Sequence, residues 1–142
     1  MEYQQAVTTQ EEALSHLFFH CCFKDGTFKE AELKNISDKL VTAGLHADLN
    51  FKEEVIAYQS YRNEITDEKD YLQFLIQLIR PTNELALFSY CLELCLSDSL
   101  LDSTEESLLT NLAAVLEIEE AEKNTTQKLM VQRNIVENQK LY

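Results

Sequence analysis

The stretch "CCFKDGTFKEAELKNI", residues 21–36, holds half of a calcium loop. Asp25, Gly26, Phe28 and Glu32 match the fifth, sixth, eighth and twelfth places of an EF-hand, but Cys21 and Phe23 occupy places one and three, which must supply oxygen ligands. A standard EF-hand is therefore excluded. A second acidic turn, "LSDSLLDSTEESLL", places Asp98 and Glu105 at the same mutual spacing. Hard divalent cations take oxygen ligands, so Asp25, Glu32, Asp98 and Glu105 are the candidate metal ligands, gathered into one site or left as two half-sites. The competing reading is that these acids only cap helices and complement the positive end of the helix dipole.

Soft ligands present a second pattern. His16 and His20 lie four residues apart, as do Cys91 and Cys95, an acceptable spacing for zinc on a helix. Shifting the chain by 73 residues lays Cys91 and Cys95 over Phe18 and Cys22, positions about 200° around a helix from the histidines. The cysteines are thus expected in the core and the histidines on another face. Enzyme motifs are scarce: there is no phosphate-binding glycine loop, no His-Glu-x-x-His, no Glu-x-x-His and no Cys-x-x-Cys. A third set, Tyr58, Tyr61 and Arg62, joins aromatic and basic character in an acidic chain and is the candidate partner-binding surface. The plain alternative has these tyrosines covering a bundle with their hydroxyls in water.

The elements that must position these groups are helical. Of 142 residues 45% are hydrophobic and 26% charged, with two glycines and one proline, too few turn-formers for a fold of many short strands. Apolar residues recur with helical period over 4–23, 28–43, 50–65 and 67–80, with Pro81 ending the last. Further helices are expected over 83–96, over 103–116 behind a capping box of Asp102 and Glu105, and over 119–139, where the apolar stripe is thin. Asn50 and either Thr66 or Asp67 are expected N-caps, and Gly44 a left-handed terminator. These elements predict a single all-α domain over 1–142, a compact bundle of six to seven helices.

The same shift of 73 residues exposes an internal repeat. Residues 11–45 lie over 84–118 with six identities, Glu11, Ala13, Leu14, Cys22, Asp25 and Glu32 meeting Glu84, Ala86, Leu87, Cys95, Asp98 and Glu105. Apolar positions keep helical phase on both sides of the matched turn, which predicts two related helical hairpins. This helix, D-G-x-hydrophobic-x-x-x-E, helix arrangement resembles the TerB-like family of tellurite-resistance proteins and the related region of DjlA-type co-chaperones. The likeness covers about residues 10–118, although Ser99 stands where the second turn would carry glycine. The resemblance implies a compact all-helical fold whose acidic turns hold a divalent cation such as calcium, magnesium, manganese or zinc, and a non-enzymatic role as a stress-response or regulatory adaptor. The alternative it offers is a metal-independent protein-interaction module. No His-Pro-Asp triplet of a J-domain occurs.

A net charge of −13 opposes nucleic acid and anionic lipid and favours cations or a basic protein partner. With neither a basic start followed by an apolar stretch nor a long apolar run, the expectation is a cytoplasmic protein with reduced thiols and no membrane insertion.

Overall fold

Where the periodicity predicts one helix over 4–23, the chain forms two. Val7, Thr8 and Thr9 interrupt it, and Val7 adopts extended dihedrals (φ −121°, ψ 114°) that end the first helix, α1 (Tyr3–Ala6). The second, α2 (Gln10–Phe23), starts from a capping box: Thr9 Oγ1 accepts from the Glu12 N–H at 3.2 Å, while Glu12 Oε1 accepts from the Thr9 N–H at 3.1 Å. The computed structural model describes residues 2–23, 29–42, 44, 49–96 and 103–139. Among these residues the secondary structure is entirely helical. The remaining elements are α3 (Glu30–Thr42), α4 (Phe51–Tyr61) with a 3-10 turn (Arg62–Glu64), α5 (Glu68–Ile79), α6 (Glu84–Cys95), α7 (Ser103–Val115) and α8 (Glu120–Gln139). No helix among the described residues is long and apolar enough to cross a membrane.

Among the described residues three further helices begin at a side-chain oxygen. Asn50 accepts from the Glu53 N–H, Asp67 from the Asp70 N–H and Asn83 from the Ala86 N–H. Each satisfies one of the backbone donors that a helix start leaves without an internal partner. The expected cap Asp102 lies outside the described residues. At the other ends, Arg80 (φ 49°) closes α5 through its N–H to the Ile76 carbonyl, immediately before Pro81. Glu117 (φ 58°) closes α7 in a Schellman arrangement, with Ile118 N–H to Ala113 O and Glu117 N–H to Ala114 O. Gly44, at φ 72°, has the left-handed value expected of it.

The helices gather into two compact units, Met1–Arg80 and Pro81–Tyr142. In the first, α2 is the central element, packed by α3, α4 and α5, while α1 lies against α4. Every residue of α2 from Ala13 to Cys21 is buried, so this helix has no solvent face to which polar side chains could be turned. Leu17, Phe19, Phe23, Ile36, Leu40, Leu72 and Leu75 form the apolar body around it. In the second unit α6 packs against α7 and α8, with Phe88, Leu92, Leu108, Leu109 and Leu112 buried. No described side chain of α8 is fully buried, in keeping with its thin stripe, and Asn134 Nδ2 donates to the Leu96 carbonyl at 3.1 Å.

Candidate functional site

Because α2 is enclosed, its two histidines must find partners inside the first unit, and they do. His16 is 0% and His20 3% exposed, which corrects the expectation that they face away from the core. Tyr58 and Tyr61, expected either as partner anchors or with hydroxyls in water, are each 0% exposed. The antiparallel run of α4 past α2 sets Tyr61 OH 2.6 Å from His16 Nδ1 and Tyr58 OH 2.8 Å from His20 Nδ1. On the opposite ring nitrogens, Glu54 Oε1 lies 2.8 Å from His16 Nε2 and Glu68 Oε2 lies 2.9 Å from His20 Nε2. Tyr71 of α5 extends the first chain, its hydroxyl 2.6 Å from that of Tyr61. Arg62, the third expected anchor, is half-buried in the 3-10 turn.

The direction of these hydrogen bonds follows from counting hydrogens. Burial first, then neighbouring charges, raise the Tyr58, Tyr61 and Tyr71 phenols above their ordinary value, so all three keep their protons. Among the described residues the Tyr71 hydroxyl bonds only Tyr61, and its hydrogen has that oxygen alone to go to. Tyr61 must then donate to His16 Nδ1, which accepts. Neutral His16 therefore carries its hydrogen on Nε2 and donates to the Glu54 carboxylate. The same reasoning orders Tyr58 to His20 to Glu68. Two parallel chains result, each running from a phenol through an imidazole to a carboxylate that is 13% or 18% exposed. No buried polar side-chain atom among the described residues lacks a partner.

Stacking reinforces the arrangement. The His16 ring lies 8° from parallel with Tyr61 at 5.6 Å, and Tyr58 meets Tyr61 edge-on at 5.5 Å. Chemically, every ring nitrogen is already engaged, which leaves neither imidazole a lone pair for a metal or substrate. Sequence reasoning did not find Glu54 and Glu68. A signal was present: Glu54, Tyr58 and Tyr61 follow one another at four and three residues, a polar row in helical phase with buried positions.

Of the four candidate metal ligands, Asp25 and Asp98 lie outside the described residues. Glu32 is 7% exposed in the first turn of α3, with Lys29 Nζ 3.9 Å from its carboxylate. Glu105 is half-buried in the first turn of α7. Among the described residues no three His, Cys, Asp or Glu side chains converge where a metal ion would sit. Cys21, Cys91 and Cys95 are buried as packing residues and Cys22 is half-buried. Comparison with family models, with curated proteins and with solved structures gives no match.

Proposed function

We propose that the protein is a non-enzymatic, metal-independent interaction module of the TerB-like kind, built on two repeated helical hairpins, whose acidic surface receives a basic protein partner. The repeat is supported by helix limits. A shift of 73 residues carries the limits of α3, Glu30 and Thr42, onto those of α7, Ser103 and Val115. It also carries Gly44 onto Glu117, the two left-handed residues that follow these helices. In each unit the paired helices pack together, α2 with α3 and α6 with α7.

The observation that carries the metal-independent reading is the position of Glu32 and Glu105. Both are the third residue of their helices, where a carboxylate serves the unpaired N–H groups and the positive end of the dipole without a cation. The inward engagement of His16, His20 and their tyrosines supports binding over catalysis by that cluster. A net charge of −13 then favours a basic partner face.

Thermal unfolding of metal-stripped protein with calcium, magnesium, manganese or zinc at millimolar concentration tests this. The module reading expects no rise in Tm beyond that of an ionic-strength control. A rise with one metal, abolished by Asp25→Asn with Asp98→Asn, would replace it with the cation-binding adaptor, since a ligand of the native state raises its stability.

A further inference from the structure

The N-terminal helix α1 is four residues long, none of them buried, and Glu2 supplies it with no side-chain cap. A helix this short does not hold itself together. It is seated by Val7 at its end, 1% exposed, and by Tyr3, whose ring meets Tyr71 edge-on at 4.9 Å, Phe74 at 5.2 Å and Tyr61 at 6.1 Å. Tyr61 and Tyr71 are 0% exposed with Tyr3 in place, and Tyr3 forms part of their cover. The rim of this seat is acidic: Asp67 and Asp70, both exposed at the start of α5, lie four residues before Tyr71 and Phe74, hence on the same faces of that helix. The protein's own occupant thus brings a carboxylate, Glu2, to a rim that is already negative.

We propose that the seat of Tyr3 is an exchangeable socket for a partner segment presenting an aromatic side chain flanked by lysine or arginine, which takes the place of α1. The ring fills the space between Tyr71, Phe74 and Tyr61. The flanking cation pairs with Asp67 and Asp70, a charge that Glu2 cannot offer. Aromatic residues beside basic ones are common interface anchors, and here the charge around the socket selects them. The tethered α1 acts as a competitor at high local concentration, so the partner must exceed it in affinity or meet the protein when α1 is lifted.

The proposal rests on the interaction-module reading and names its partner class. The test uses the full chain carrying Tyr3→Ala, which vacates the socket, and two synthetic peptides spanning residues 2–10, one native and one with Glu2→Lys and Gln4→Lys. Ring resonances of Tyr71 and Phe74 are followed by NMR. The basic peptide is expected to saturate the variant and move both sets of signals, binding about tenfold more tightly than the native peptide at low salt, with the difference shrinking as salt is added. A basic peptide lacking the tyrosine is expected to leave them unmoved, and the wild-type chain to bind the basic peptide more weakly than the variant does. Unmoved Tyr71 and Phe74 signals in a folded Tyr3→Ala chain, or equal binding of both peptides, would overturn the socket. Should Tyr3→Ala unfold, Glu2→Lys in the full chain decides the matter. That change is expected to raise Tm at low salt and weaken capture of the basic peptide, and an unchanged or lower Tm refutes the electrostatic argument. Failure of these measurements removes the socket alone; the module reading falls only with a metal-dependent Tm.

Discussion

Changing Tyr61 to Phe removes one oxygen and disturbs two partners. Its hydroxyl donates to His16 Nδ1 and accepts from Tyr71, each at 2.6 Å, so the substitution leaves a ring nitrogen and a hydroxyl hydrogen buried without partners. Each such group costs about 1–3 kcal/mol, which puts Tyr61→Phe at about 2–6 kcal/mol. Tyr71→Phe differs in kind. It removes the terminal donor and leaves the Tyr61–His16 bond intact, for a loss of about 0.5–1.5 kcal/mol. In the double variant the hydrogen stranded by Tyr61→Phe no longer exists. The two changes together should therefore cost about 1–3 kcal/mol less than the sum of their separate effects. Urea unfolding followed by near-ultraviolet circular dichroism is the assay, because with no tryptophan in the chain its aromatic signal has a large share from the clustered Tyr3, Tyr58, Tyr61 and Tyr71. Additive effects, or a Tyr71→Phe variant as unstable as Tyr61→Phe, would refute the direction assigned to the hydrogens and with it the Nε2–H form of His16.

Other consequences are open to the same measurement. Thr9→Ala removes the N-cap of α2 and is expected to cost about 1 kcal/mol. Burial raises the Glu12 carboxyl, but the hydrogen bonds from Thr8 and Thr9 outweigh it and leave it below its ordinary value. The stability it contributes is therefore present above the usual glutamate range and lost as pH falls through the lowered value, and Glu12→Gln should flatten that part of the acid titration. Glu117→Gly places after α7 the residue type that Gly44 supplies after α3, relieving both a strained φ of 58° and a negative charge at the C-terminal end of α7. A gain of about 1 kcal/mol in urea unfolding is expected, while Gly44→Ala should destabilise by a similar amount. Leu17→Ala, at a fully buried position of α2, should lose about 2–5 kcal/mol by the same assay.

The sequence marks its helices wherever an apolar stripe meets a solvent-facing side. Residues 67–80 and 103–116 are legible because their polar faces make the period visible, and Asn50, Gly44 and a cap at Thr66 or Asp67 because capping and left-handed geometry are local chemistry; the structure chooses Asp67. The break at residues 7–9 was missed because Val7 continues the apolar phase; only the Thr9–Glu12 pair, a capping box embedded in a periodic run, announced it. The histidines were misplaced for a different reason. A helix buried on every side has no contrast between its faces, so position around α2 says nothing about exposure. Tyr58 and Tyr61 misled because a phenol is equally at home on a surface and in a core that offers it an acceptor. That acceptor came from residues 45 and 38 positions away, beyond the reach of any local pattern.

Those separations have a bearing on how the first unit comes into being. His20 waits for Glu68, 48 residues later, and the Gln10 side chain for the Ile79 carbonyl, 69 residues later. During synthesis α2 therefore emerges with its imidazoles unmatched and can be enclosed only after α5 has been made. Contacts so distant in sequence make folding slower than local ones do. Once α5 arrives, the two pairs act as a registration key: a slide of α2 by one residue, or a rotation by one face, separates both imidazoles from their phenols and carboxylates at once. An apolar helix in the same place would tolerate several such near misses, and the histidines convert them into states that the chain leaves.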